Sequence, residues 1–276
     1  AVNMSYPLTS LVLAIGVMLG TGGSAVIARK LGEGKAEEAR QDLSCIVAVT
    51  VAASVVFLAV CLGFLDLILR LLGTSEAQFP YCRTYTMILV SFAPASFLQS
   101  VFQVLFVTAG KPELGLGVTV AGGLANIVLD WFFMGPLGMG VEGAAIATVF
   151  AQAVSVVLSL LLIRKKHLAF TLRRQDIRFN GALIGRILRL GSPVALQDLL
   201  VNLTFLVIIA IANSMGTIPS AGVGVAEKLC AFVMLVPSAY MQSMSAFVAQ
   251  NIGAGLESRA RRALLYGVLS SLLAGL

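Results

Sequence analysis

The sequence predicts an all-α polytopic membrane protein of two parallel six-helix repeats, with about seven complete transmembrane helices present and the start of an eighth. Three observations predict it. Hydrophobic residues make up 58% of the 276 residues and charged ones 12%, about half the charged share of a soluble domain. Mean hydropathy is +0.96, and apolar runs of about 20 residues, enough to span a hydrocarbon core, recur along the chain. A gapless internal match also relates two regions 221 residues apart, Ser24 to Ser245. The 19 basic and 13 acidic residues cannot make the charged shell of a water-soluble fold this long. That excludes a cytosolic enzyme, a secreted disulfide-rich module and a disordered linker.

In order, the first span covers 7–29 and is closed by Gly32 and Gly34, glycines that permit the left-handed turn ending a helix. The second covers 43–65, a continuous apolar run. The third, 82–109, is expected to kink at Pro94 and then carries Gln99 and Gln103, four apart. The fourth and fifth, 113–133 and 141–164, are antiparallel neighbours across a short turn containing Gly135, Pro136, Gly138 and Gly140. The long segment 165–190 interleaves Phe170, Leu172, Ile177, Phe179, Leu183 and Ile187 with its charges and reads as an amphipathic stretch along the cytoplasmic interface. The sixth and seventh spans are 191–214 and 221–249, with Pro193 and Pro237, and an eighth opens near 262. These elements divide into an N-terminal lobe at 1–164, an inter-lobe linker at 165–190 and the start of a second lobe at 191–276.

Basic residues test this layout. Arg29, Lys30, Lys35 and Arg40, then Lys111, then Arg164, Lys165, Lys166, Arg173, Arg174, Arg178, Arg186 and Arg189, then Arg259, Arg261 and Arg262 all fall on alternate loops. The opposite side receives Arg70, Arg83 and Lys228. The positive-inside rule makes loops 30–42, 110–112, 165–190 and 251–261 cytoplasmic, in an inner (cytoplasmic) membrane. The net charge of +6 therefore sets orientation. No basic stripe with interleaved aromatics points to nucleic acid. Cys45, Cys61, Cys82 and Cys230 lack metal-ligand spacing and read mainly as small buried hydrophobes, while His167 sits in a basic loop with nothing to complete a metal site. No cleavable signal sequence is evident.

The internal match pairs Ser24–Gly34 with Ser245–Gly255 and continues from Ala39-Arg40 to Ala260-Arg261. Both copies close a helix with a G-x-G pair and enter a charged segment that opens the next helix. Six helices separate them, so both halves cross the membrane in one sense, a parallel repeat about an axis along the membrane normal. That is a transporter architecture with the substrate path at the seam between halves. Two such units imply a parent of about 440 residues and twelve spans, of which this chain would hold the second helix through the start of the ninth.

Polar side chains at membrane depth are costly and point to function. The densest group is Asn126 and Asp130, four apart and so on one face of the fourth span, with Thr148 at similar depth in the fifth. A carboxylate, an amide and a hydroxyl converging in the outer leaflet can take up a proton or coordinate Na⁺; helix capping by Asp130 beside the interfacial Trp131 is the alternative. Other candidates for a substrate path are Gln99 and Gln103, Asp198 and Asn202 in the sixth span, and Met234, Tyr240 and Met241 in the seventh. Asp66 and Arg70, four apart near the outer surface, read as an exposed pair. There is no nucleotide-binding G-x-x-x-x-G-K-[ST] loop, no nucleophile–base pair and no metal cluster, so neither an enzyme nor a resident cofactor is expected.

The stretch from Gly110-Lys111-Pro112 through Asn126-Ile127-Val128-Leu129-Asp130 and on to Leu137–Thr148 resembles the multidrug and toxic compound extrusion (MATE) transporters. So do Ile27–Gly34 with its following Ala-Arg, Leu71–Thr74 and Gly191-Ser192-Pro193. The resemblance implies a monomeric exporter of small amphipathic, often cationic compounds, driven by inward H⁺ or Na⁺, whose two lobes form a V that alternates between facing in and out. It implies a cation pocket at Asn126, Asp130 and Thr148, with any Na⁺ held at Asp130. An acidic residue on the family's first helix, absent from this chain, usually completes that pocket. The nearest rival, a flippase of lipid-linked oligosaccharides or other lipids in the same superfamily, would be expected to carry more basic residues inside the membrane than this chain does.

Overall fold

The structure is a computed structural model, and it describes residues 2–165, 176 and 179–275. Ten helices follow one another: α1 (Val2–Gly32), α2 (Ala36–Gly63), α3 (Leu65–Leu71), α4 (Phe79–Ser91), α5 (Ala93–Thr108), α6 (Pro112–Met134), α7 (Gly140–Lys165), α8 (Gly181–Ser214), α9 (Thr217–Gly253) and α10 (Glu257–Gly275). Six of them are long and apolar enough to cross a membrane, and α4 with α5 forms a seventh span bent by 49°. The all-helical, polytopic expectation is borne out.

Local chemistry explains most boundaries. Pro94 has no N–H to donate to the carbonyl four residues back, and the third span breaks there, at Phe92, with Pro94 in the first turn of α5. The interior prolines of α8 and α9, Pro193 and Pro237, leave those helices continuous. Two helices start earlier than their apolar runs do. α2 begins at Ala36 because Ala-Glu-Glu-Ala-Arg is itself strongly helix-forming. α8 begins at Gly181, where the Asn180 side chain accepts from the N–H groups of Ala182 and Leu183. Residues 181–190, expected in the interfacial linker, are thus the first turns of α8, with Leu183 and Ile187 buried. Phe170, Leu172, Ile177 and His167 lie outside the described residues.

The internal repeat recurs in the backbone. After α1 the Gly34 N–H donates to Leu31 O at 3.2 Å and the Lys35 N–H to Lys30 O at 2.9 Å; after α9 the Gly255 N–H donates to Ile252 O at 3.0 Å and the Leu256 N–H to Asn251 O at 2.9 Å. These are the paired bonds of a Schellman turn. They require left-handed backbone at the glycine, and φ is +74° at Gly34 and +73° at Gly255.

The core lies between α1, α2, α5 and α7, where Phe97, Phe102 and Phe106 are almost fully buried with Ile27, Leu43, Ile46 and Leu105. Polar ties cross it: Ser24 with Thr108, and Ser5 with Thr86, each at 2.6 Å. Leu124, Ile127 and Trp131 of α6 are exposed, as residues facing lipid should be. At the basic end of the helices Lys30 of α1 pairs with Asp42 (2.7 Å) and Glu38 (3.2 Å) of α2, and Arg40 pairs with Glu37 and with Asp176 (2.8 Å). In the connecting turn the Lys35 ammonium holds the exposed Glu33 carboxyl below its ordinary range, and Glu33 in turn raises Lys35.

The expected Asp66–Arg70 pair does not form. Asp66 bonds Arg83 at 2.8 Å, because the α3–α4 turn brings α4 alongside, and Arg70 lies over the Phe79 ring at 5.7 Å. Both partners of the pair are about half exposed, so Asp66→Asn should cost under about 1 kcal/mol. Thermal unfolding in detergent checks this.

Candidate functional site

The candidate site residues come from five helices. α6 supplies Asn126 and Asp130, α7 supplies Thr148 and Gln152, α4 supplies Tyr85 and Thr86, α5 supplies Ser96 and α1 supplies Thr9. The register of α6 on α7 is set by small residues. Gly122 lies against Ser155, and Gly143 against Phe133, and running antiparallel between these points places Asp130 level with Thr148 and Asn126 level with Gln152. A Cβ at Gly122 would overlap the Ser155 hydroxyl, so glycine there permits the close approach.

A cavity of about 170 Å³ is lined by polar Thr9, Tyr85, Thr86, Ser96, Thr148 and Gln152 and by apolar residues that include Leu8, Val12 and Leu89; of the three expected cation ligands only Thr148 lines it, and Asn126 and Asp130 do not. Ser96 donates to Gln152 Oε1 at 2.6 Å across α5 and α7, and Thr148 donates to the Ala144 carbonyl of its own helix at 2.9 Å. The break between α4 and α5 turns Ser96 into this space. Asp130 is half-buried, and its Oδ1 is sealed from the surface with no hydrogen-bond partner among the described residues. Tyr85 lies within electrostatic range of that carboxylate. An orphaned carboxylate oxygen offers what a proton or a hard cation needs. Among the described residues no group of three His, Cys, Asp or Glu stands close enough to hold a metal ion.

The remaining sequence candidates scatter. Gln103 donates to Thr119 Oγ1 at 3.1 Å, joining α5 to α6, and Gln99 is half-buried outside the cavity. Asp198 and Asn202 sit on α8, where Asn202 Nδ2 donates to the Asp198 carbonyl at 2.8 Å and Asn202 Oδ1 accepts from the Tyr6 hydroxyl at 2.9 Å. Tyr240 and Met241 line a separate groove of about 710 Å³ between α1, α9 and α10. Met234 is 57% exposed and does not line it.

Sequence reasoning missed Thr9, Tyr85, Thr86, Ser96 and Gln152. Gln152 carried a readable signal, since it follows Thr148 by four residues on the same helix face. Gln152→Leu would strand the Ser96 hydroxyl. The expected cost is about 1–3 kcal/mol of stability, with transport lowered rather than lost. Thermal unfolding and efflux measured on one preparation check both.

The family model described as MatE matches residues 1–132 and 193–276. The chain is 28% identical over 269 residues to the "FAD transporter" of Shewanella oneidensis, covering 96% of this chain and 60% of that protein. It is 27% identical over 283 residues to the "Probable multidrug resistance protein YoeA" of Bacillus subtilis, covering 100% of this chain and 61% of that one. Among solved structures, a MATE protein in the straight conformation superimposes with a TM-score of 0.88 at 23% identity, over 99% of this chain and 61% of its own. An outward-facing multidrug resistance MATE transporter superimposes with a TM-score of 0.85 at 23% identity, over 99% and 61%. The chain thus spans about three fifths of the length of the relatives it matches.

Proposed function

The chain belongs to the MatE family, and on that premise we propose that it forms part of a secondary active exporter rather than an enzyme. The exporter moves small amphipathic, mainly cationic compounds out of the cell in exchange for inward H⁺ or Na⁺. It acts as a monomer in the cytoplasmic membrane and needs no cofactor beyond the coupling ion. The observation that carries this reading is Asp130: a carboxylate oxygen on α6 sealed from the surface with no hydrogen-bond partner among the described residues. With no basic side chain paired to it among the described residues, uptake of a proton or Na⁺ supplies the missing charge. Asn126 and Thr148 complete the oxygen set from the same depth, and release of the ion couples to movement of the lobes.

A lipid-linked cargo or another large anion would call for cationic side chains along the path, and the basic residues of this chain cluster in cytoplasmic loops instead. The relative named as an FAD transporter makes a flavin dinucleotide a necessary comparison cargo. Cells expressing the full gene product, loaded in turn with a fluorescent cationic dye and with flavin dinucleotide, test the substrate class. Export of the dye above the empty-vector rate supports the reading. Export of the flavin alone overturns it.

A further inference from the structure

The turn that closes α1 occurs twice in the chain, and one copy is charged where the other is not. The backbone bonds of the two turns match, and φ is left-handed at both Gly34 and Gly255. Yet Arg29, Lys30, Glu33, Lys35 and Asp42 of the first copy correspond to Gln250, Asn251, Ala254, Leu256 and Ala263 of the second, and Glu38 corresponds to Arg259. The second copy forms the turn without these charges, so the turn alone does not account for them in the first. All six line one cavity of about 440 Å³, at the end of α1 and the starts of α2 and α8.

Their pairing leaves one cation and one carboxylate with capacity to spare. Arg29 and Lys35 share Glu33, and Lys30 joins both Asp42 and Glu38. Arg186 of α8 lines the same cavity and makes no hydrogen bond or ion pair among the described residues. Glu38 pairs with Lys30, and its side chain stays 52% exposed. Both Glu38 and Arg186 lie within electrostatic range of the Asp42 carboxylate, so a group that seeks a cation and one that seeks an anion face a common space. The N-terminus of α8 is not the anion site, because the Asn180 side chain already occupies the N–H groups of Ala182 and Leu183. Ala25, Val26 and Leu190 line the cavity farther along the spans than the charges do, and Leu190, one helical turn past Arg186, is 46% exposed. An occupant therefore meets charges of both signs at the basic end of the helices and apolar surface beyond them. A small soluble anion would leave the apolar part unused, and a purely anionic headgroup would face three carboxylates.

We propose that this cavity binds a phospholipid headgroup carrying both a phosphate and a primary ammonium. The phosphate lies at Arg186, the ammonium at Glu38, and the acyl chains leave along Ala25, Val26 and Leu190. A lipid held in this way ties α1 and α2 to α8 through charge. The site is separate from Asp130, and its test needs no transported compound, so this proposal and the transport reading can fail separately.

The test is native mass spectrometry of the purified full gene product, offered phosphatidylethanolamine and phosphatidylglycerol of the same acyl chains in equal amounts. The parent should retain phosphatidylethanolamine more firmly. Arg186→Gln should lower that retention roughly fivefold, the ratio equivalent to about 1 kcal/mol for one basic residue at a lipid surface. Glu38→Gln should lower retention of phosphatidylethanolamine and leave that of phosphatidylglycerol unchanged. Arg186→Lys, which keeps the charge, should retain most of the binding. Arg189→Gln, on the same helix but outside the cavity, should change neither lipid. Arg186 and Glu38 are exposed, so the variants should unfold near the parent temperature in lipid-free detergent. In that detergent phosphatidylethanolamine should stabilise the parent and inorganic phosphate should not. Equal retention of the two lipids by the parent, unchanged retention in Arg186→Gln, or stabilisation by inorganic phosphate equal to that by the lipid would overturn the proposal.

Discussion

Asp130→Asn in the full gene product abolishes ion-coupled efflux and leaves the amount of protein in the membrane unchanged. The two halves of that expectation come from one observation. Asp130 Oδ1 makes no hydrogen bond within the described residues, so replacing the carboxyl with an amide of the same shape removes no fold contact. What it removes is the ability to gain and lose charge. An amide neither takes up a proton near neutral pH nor offers Na⁺ a full negative charge. In proteoliposomes with an imposed gradient, efflux should fall to the level of empty liposomes while thermal unfolding stays near the parent. Parent-like efflux by this variant would remove Asp130 from the coupling site.

Gly191→Val lowers stability more than any change on the lipid-facing surface. Gly191 of α8 lies against the Met18 carbonyl of α1, and Gly22 of α1 lies against the Ile187 carbonyl of α8, so this antiparallel crossing depends on two missing side chains. Overpacking costs about 1–3 kcal/mol, and here the obstacle is backbone, which cannot swing aside as a side chain can. In lipid, no hydrophobic force presses separated helices back together. Gly22→Val should cost about as much as Gly191→Val. By contrast, Gly117→Ala sits in open space within α6 and should stabilise by about 0.5–1 kcal/mol through helix propensity. Thermal unfolding of the three variants in one detergent separates these outcomes. Equal stability of Gly191→Val and the parent would show that the crossing is looser than its geometry.

The spans were legible because a bilayer demands long apolar runs and leaves cations on one side, both one-dimensional signals. The repeat was legible for a similar reason: Gly34 and Gly255 serve the same local turn, and a local turn is written in adjacent residues. Helix ends were less so. The starts of α2 at Ala36 and α8 at Gly181 lie in charged sequence, where helix propensity and an Asn cap, not hydropathy, decide the boundary.

Pairings between distant segments were hardest to read. Spacing favoured Asp66 with Arg70, yet the fold offers Arg83, 17 positions away, at a shorter reach. Asn126, Asp130 and Thr148 could be singled out because polar groups in apolar runs stand out. Tyr85 and Ser96 could not, since one lies near the start of its span and the other beside a proline break whose 49° bend turns it toward Gln152. Gly32 and Gly253 read as helix terminators, which they are. Gly32 also lies against the Gln250 carbonyl and Gly253 against the Arg29 carbonyl, and that contact between the two repeats is not written locally.

Countertransport in purified, reconstituted full gene product is the most direct test of the central claim. Vesicles are loaded with a fluorescent cationic dye, the H⁺ and Na⁺ gradients are imposed separately, and ion entry and dye exit are followed together. The account predicts that one of the two gradients drives dye out while its ion moves in, and that collapsing this gradient stops both. Dye exit that continues at the same rate with both gradients collapsed would contradict it.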